Sequence, residues 1–403
     1  MKLHDNKGFW LCLSEKMKGK GLAWVGAWML IIFLLSFQLS RTTQADGGAP
    51  NLAYVAGSAG GISVIDVFQK NVSKNFAITG DPHAVLLSPD GRYLYVTRPQ
   101  AGQIAMLAAS TGNTICMLDL PGRPEFLALD VITATLYTAG NMDKRITALE
   151  TTNCQLKRTF QAPAPVNGLA LAFAQTNLAD GQETQLWATT SRGIAIFNTH
   201  TGKTSKVVTL PADQAQTIAI PPGKTAYVTT KGGAISAIDL HTYQTMHLLS
   251  GGNYGPMDFD EATGEIYVPD SRHQQLTVLA PVAVGYSRIH EPQRTLHFDA
   301  VPNSVAITND GQLGFVALNN GQVVMLDIPG KQQVTSIHVG GSPHFIITGL
   351  YPPLAPIHPQ EATFSGILAT IISYGLLAVM LIVPTGYFLY RRFARPQKLP
   401  HGE

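Results

Sequence analysis

The chain has 403 residues, with 13% charged and 45% apolar side chains, 38 Gly and 25 Pro, a composition that suits many turns rather than long helices. Its net charge of +2 is uneven: residues 46–361 hold 18 Lys and Arg against 23 Asp and Glu, a balance of −5, and the basic excess lies at the two ends. A mildly acidic body excludes a nucleic-acid footprint, and three cysteines without a Cys-x-x-Cys-His exclude covalent c-type haem.

Residues 1–45 open with Lys2, Lys7, Lys16, Lys18 and Lys20 and continue into an apolar run, 22–39, of 18 residues without a charge. A basic leader before such a run reads as a secretory signal peptide or a signal anchor. Thr43-Gln44-Ala45 offers small residues for cleavage after Ala45.

From Leu52 a repeat begins, and its clearest copy is 82–97. There two short apolar strands flank Ser88-Pro89-Asp90-Gly91. Pro presets the turn dihedral, Asp bonds back to the backbone, and Gly accepts a positive φ. The aromatic residue of the second strand recurs as Tyr54, Tyr95, Tyr137, Trp187, Tyr227, Tyr267 and Phe315, at spacings of 41, 42, 50, 40, 40 and 48. A period near 40 with four short strands per unit predicts an all-β, seven-bladed β-propeller over 46–350. Each unit is expected to hold an opening strand, the aromatic strand, a middle strand and an outer strand. The chain starts at an aromatic strand and ends on a lone opening strand, Pro343-His344-Phe345-Ile346-Ile347. That strand is expected to complete the first blade and cover its bare edge. The aromatic residues are expected to pack between blades.

The Ser-Pro-Asp-Gly…Leu-Tyr-Val-Thr unit, with Ile62-Ser63-Val64-Ile65-Asp66 of the same kind, resembles the YVTN-repeat (YVTN/lactonase-like) propellers over 52–349. Relatives of this type include secreted surface-layer and surface-antigen proteins, lactonase-like propellers and the haem-binding propeller of certain nitrite reductases. The resemblance therefore speaks to fold and leaves activity open.

Residues 351–366 contain Pro352, Pro353, Pro356 and Pro359 and read as a stiff spacer. Residues 367–390 carry no charge over 24 positions and end in Tyr387, Phe388 and Tyr390. Arg391 and Arg392 follow in a basic tail, 391–403. Length, aromatic edge and positive flank predict a membrane-spanning helix with a cytoplasmic tail. The expected localisation is the cell membrane, with the propeller on the extracytoplasmic side. Asn71-Val72-Ser73 is a glycosylation sequon, relevant where the source glycosylates.

Candidate chemistry lies at one repeat position, the residue after the Pro that precedes each opening strand. Those strands line a propeller's channel. The position reads His344, His83, Glu125, Val166, Gln216, Met257 and Asn303. His83, Glu125, Met257, Asn303 and His344 are candidate ligand-binding residues at the channel mouth. His83, Glu125 and His344, from consecutive blades, are the residue types that hold a divalent metal with open positions. Against this stands the plainer reading, in which the rings cap the channel and bond backbone or water. No cofactor is otherwise implied. Arg98 and Arg123 are candidate anion contacts. Cys116 and Cys154 fall in outer strands of neighbouring blades, which favours two separate thiols over a disulfide.

No Gly-x-Ser-x-Gly elbow or phosphate-binding Gly loop appears. The sequence therefore favours a membrane-anchored binding module for a protein, glycan or small ligand over an enzyme. The alternatives are a lactonase-like hydrolase and a metal- or haem-binding redox propeller using the same mouth. Both ends of the ring fall on the Ser-Pro-Asp-Gly face. That face is expected to look toward the bilayer, with the insertions 173–184 and 281–293 on it. The mouth with His83, Glu125 and His344 is then membrane-distal and open to a protein or glycan partner.

Overall fold

The structure, a computed structural model, describes residues 51–210, 214–285 and 294–349. The chain divides into two compact units, 1–351 and 352–403, and every described residue belongs to the first. The expected apolar segments at 22–39 and 367–390, the spacer and the basic tail lie outside the described residues. Among the described residues no helix is long and apolar enough to cross a membrane.

The described residues form 28 strands, β1 to β28 in chain order, arranged as seven four-stranded sheets. This is a seven-bladed β-propeller. Blade 1 combines residues 52–77 with the last strand; blades 2 to 7 span 85–119, 124–161, 166–208, 215–250, 258–297 and 302–338. Within a blade the strands run antiparallel from the innermost opening strand to the outer one. The chain therefore alternates between two faces. Turns after the opening and middle strands lie on one, here the lower face. Turns after the aromatic and outer strands lie on the other, the upper face.

The Ser-Pro-Asp-Gly turn is held by its own side chains. Ser88 Oγ donates to Asp90 Oδ1 at 2.6 Å and accepts the Tyr93 N–H at 2.9 Å, and Gly91 takes a φ of 70°. Thr308-Asn309-Asp310-Gly311 repeats the arrangement, with Thr308 Oγ1 to Asp310 Oδ1 at 2.5 Å. Blades 3 and 6 use another solution, in which Asp130 and Asp260 accept backbone N–H groups from the residues that follow.

No blade can bury both of its faces alone; stacking does it. Tyr54, Tyr95, Tyr137, Trp187, Tyr227, Tyr267 and Phe315 are all buried, and the apolar clusters cross from blade to blade. Tyr54 packs with Val85 and Leu94 of blade 2, and Tyr137 with Leu169 and Leu186 of blade 4. The hydroxyls follow the same logic. Tyr95 donates to the Thr151 carbonyl of the next blade at 2.8 Å, and Tyr227 accepts the Val282 N–H at 3.0 Å.

The ring closes as the offset of the repeat requires. β28 (Phe345–Gly349) pairs with β1 (Leu52–Ser58) from Leu52↔Gly349 to Ala56↔Phe345. The closing seam admits no side chain at Gly57. Its φ is 81°, and an added Cβ would lie 2.6 Å from both His344 Cδ2 and the Ser342 carbonyl oxygen.

The cysteines depart from expectation. Cys116 and Cys154 form a disulfide with Cα atoms 6.2 Å apart. Cys116 lies in β7 (Thr114–Asp119), the outer strand of blade 2. Cys154 is not in a strand. It sits at a φ of 58° in the turn before β11 (Leu156–Gln161), and that turn brings its sulfur to the neighbouring blade. Placing both residues in outer strands of neighbouring blades set them too far apart.

Candidate functional site

The channel mouth is built by a repeated irregularity of the opening strands. In blades 3, 4 and 7 the pairing register slips between Pro124 and Phe126, Val166 and Gly168, and Pro302 and Ser304. The extra residue in each is Glu125, Asn167 and Asn303. A bulge places two residues opposite one and re-aims a side chain. In blades 2 and 5 the Thr that ends the Tyr-Val-Thr strand bonds the start of the opening strand: Thr97 Oγ1 accepts the Ala84 N–H at 2.8 Å, and Thr229 Oγ1 that of Thr217 at 3.1 Å. The residue at the mouth of blade 4 is therefore Asn167. Val166, aligned there from sequence, is fully buried in the apolar cluster between blades 3 and 4. In blade 5 the chamber wall carries Thr217 rather than Gln216.

Before the Pro, the incoming loop takes left-handed backbone. Gly80 and Asp81 have φ of 86° and 58°, Gly122 and Arg123 of 88° and 55°, and Gly340 and Gly341 of 68° and 67°. This turn directs Asp81 to the axis. His344 Nε2 lies 3.2 Å from Asp81 Oδ1, and the Gln100 side-chain amide donates to Asp81 Oδ2 at 3.3 Å. The His83 and His344 rings stand side by side, with centroids 5.2 Å apart. The carboxylate joined to the histidine pair is thus Asp81. Glu125 lines the same chamber as His83 and accepts from Asn141 Nδ2 at 2.7 Å.

Much of the mouth ties one blade to the next. Asn303 Nδ2 donates to the Pro343 carbonyl at 2.7 Å, Asn167 Nδ2 to Ala215 at 3.0 Å, and Thr217 Oγ1 to Gly255 at 3.2 Å. Arg98 is no free anion contact. It is buried, and its guanidinium donates to the Thr79 carbonyl and hydroxyl and to Gln103 Oε1.

The electrostatics follow from burial. Enclosure pushes the His83 imidazolium down to about 4; His344 beside it acts the same way, and Asp81 opposes both. His83 is therefore neutral at physiological pH. Burial raises the Glu125 carboxyl, with Arg123 and the Asn141 hydrogen bond opposing and Asp81 adding to the rise.

The axis holds two cavities. The upper one, about 130 Å³, is lined by His83, Glu125, Asn167, Thr217 and Met257. The lower one, about 300 Å³, carries Asp258, Glu261 and Asn309 on apolar walls. Leu86, Pro256, Met257 and Phe345 border both. Asp258 belongs to the shortest opening strand, β20 (Asp258–Phe259). Its Oδ2 accepts the Ile307 N–H of blade 7 at 2.7 Å. Burial pushes its carboxyl up to about 7 against the two backbone N–H groups of Ile307 and Phe259, and the Glu261 charge adds to the rise. Among the described residues, no group of three or more His, Cys, Asp or Glu side chains is placed to hold a metal ion.

Asp81, Asn167, Thr217 and Asp258 escaped the sequence reading. The Gly-x-Pro that precedes three of the opening strands, at 80–82, 122–124 and 341–343, was the available signal for a special turn at Asp81. Asn167 required knowing that the bulge, not the Pro, sets the register.

No protein-family model matches the sequence, and no curated protein does. Solved structures do match in fold. The dihydro-heme d1 dehydrogenase NirN, in complex with DHE, shares 14% identity at a TM-score of 0.54, over 73% of this chain and 74% of that one. The β-propeller domain of Myceliophteria thermophila Cps50 (Swd1) shares 15% at 0.56, over 69% and 92%. Kuenenia stuttgartiensis hydrazine synthase shares 13% at 0.52, over 68% and 92%. At these identities the likeness is one of propeller architecture.

Proposed function

We propose that this chain is a membrane-anchored, extracytoplasmic propeller that acts as an interaction module, receiving a soluble protein partner at its upper mouth. The observation that carries this reading is the mutual bonding of the mouth's polar groups. Asp81 is joined to His344 and Gln100, and Glu125 to Asn141. Catalysis needs such groups convergent on an open position; here they form a fixed polar rim above a chamber of only about 130 Å³. Small-molecule pockets typically measure about 300–1,000 Å³. The propeller fold supports the same reading, since Cps50 (Swd1) and the WD40 repeats of RRP9 are propellers of this architecture. The uncharged runs at 22–39 and 367–390 support anchoring. The Cys116–Cys154 disulfide suits an oxidising, extracytoplasmic compartment.

The test places a photo-crosslinking side chain at Gln100 on the upper face or at Gln182 on the lower one, both exposed, in cells producing the full chain. A discrete adduct from position 100 and none from 182 is expected. Adducts from 182 alone would move the binding face to the insertions. A second reading, a metal or haem site, is favoured by one observation. Burial holds the His83 ring neutral at pH 7, so it can offer a lone pair, and the His344 ring stands beside it. Stoichiometric metal or haem in the purified full chain, lost in His83→Ala, would replace the first reading by this one.

A further inference from the structure

Large apolar side chains stand exposed at turn tips of the lower face. Phe68 is 92% exposed, Val131 54% and Ile132 58%. Phe68 lies between β2 (Gly61–Asp66) and β3 (Asn71–Ala77), and Val131 and Ile132 between β8 (Pro124–Asp130) and β9 (Thr135–Gly140). Both turns follow strands that run downward, so all three residues share the face on which the ring begins at Leu52 and ends at Gly349.

The fold does not require these residues. In the Phe68 turn, Asp66 Oδ1 accepts the N–H of Gln69. The same Asp-to-third-residue bond shapes the turns at Asp239 and Asp327, where the residue equivalent to Phe68 is His241 and Pro329. In blade 3, Asp130 Oδ1 accepts from Ile132 and Thr133, and its Oδ2 from the Thr133 hydroxyl. Asp260 makes the corresponding bonds to Ala262 and Thr263, and there the residues in place of Val131 and Ile132 are Glu261 and Ala262. Within each of these two kinds of turn the hydrogen-bonded frame recurs while the tip residue differs. In two of them the tip is a large apolar group held outward by a rigid hydrogen-bonded loop. Met142 is exposed on the upper face and Met117 on an outer strand, but Phe68 is the most exposed large apolar side chain among the described residues. Blades 1 and 3 are not adjacent, so no single pocket of a partner gathers these tips, but a plane touches them together.

We infer that this lower face docks on the lipid bilayer itself, with Phe68, Val131 and Ile132 inserted among the headgroups. The inference rests on the anchored reading above. A spacer of 16 residues, 351–366, separates the ring's last strand from the uncharged run at 367–390. Fully extended it would reach about 50 Å, so it permits contact without enforcing it. The apolar tips supply the attraction that the tether alone does not. Lys70 stands exposed two residues beyond Phe68, where anionic headgroups would meet it.

The test uses the full chain carrying Cys12→Ser, reconstituted in phosphatidylcholine–phosphatidylglycerol vesicles that contain spin-labelled lipid. Single variants Phe68→Cys, Ile132→Cys and Met142→Cys carry an environment-sensitive fluorophore. Met142, 65% exposed on the upper face between β9 and β10 (Arg145–Glu150), is the control. At least twofold stronger lipid quenching at 68 and 132 than at 142 is expected. Equal quenching at all three positions, or stronger quenching at 142, overturns the docking face. Flotation on a density gradient separates the two claims. A chain that floats with unquenched tips keeps its anchor and loses this surface; a chain that does not float loses both.

Discussion

Removal of the Cys116–Cys154 disulfide is the perturbation whose size follows most directly from the structure. The two residues are separated by 38 positions, the length of one blade, and the bond joins blade 2 to blade 3. Cross-linking a loop of that length lowers the unfolded chain's entropy by about 13 cal/mol/K, or about 4 kcal/mol at room temperature. For a propeller of about 300 residues, with an unfolding entropy near 2.1 cal/mol/K per residue, this corresponds to a melting shift of about 6 °C. Both half-cystines are only partly buried, so a reductant reaches the bond and little core volume is lost in Cys→Ser. The double variant Cys116→Ser/Cys154→Ser, melted in parallel with oxidised and reduced wild type, is expected to match the reduced protein and to lie about 6 °C below the oxidised one. Thiol titration of the denatured, unreduced full chain should find only Cys12. Three reactive thiols, or coincident melts for all three samples, would refute the staple and return the cysteines to independent roles.

Deleting residues 342–347 strips blade 1 of its innermost strand and bares the edge of β1, which now pairs through Ala56. The variant is expected to aggregate or domain-swap, whereas a monomer with an unchanged melt would show that β28 does not close the ring. For Asp258 the folded carboxyl titrates at about 7, above its ordinary value near 3.8. The folded state therefore holds a proton that the unfolded chain gives up, and the stability present below pH 4 is lost as pH rises to 7. Asp258→Asn keeps an acceptor for the Ile307 N–H, so melting profiles should coincide with wild type near pH 4 and lie above it at pH 7. A wild-type slope that survives in the variant would assign the titration to another group.

The blade count, the closing strand and the inter-blade place of the aromatic residues were legible in the chain. They depend on local chemistry repeated at intervals near 40: turn residues that take special backbone angles, and apolar strands that cannot bury a face alone. Periodicity reports what every blade shares, so it found Tyr95 and Gly91 and located the mouth near His83, Glu125, Met257, Asn303 and His344. It did not report what distinguishes the blades. A bulge shifts every later side chain by one place, so a one-residue error exchanged Asn167 for the buried Val166. Asp81 meets His344, 263 residues away in the chain, only because the ring closes. Cys154 reaches Cys116 from a turn in which it takes a left-handed backbone, and Asp258 meets the Ile307 N–H of blade 7 across the seam between blades. Each of these pairings depends on a distance between blades. Sequence spacing within a blade carries no information about that distance, so the polar partners at the axis were settled only by the closed ring.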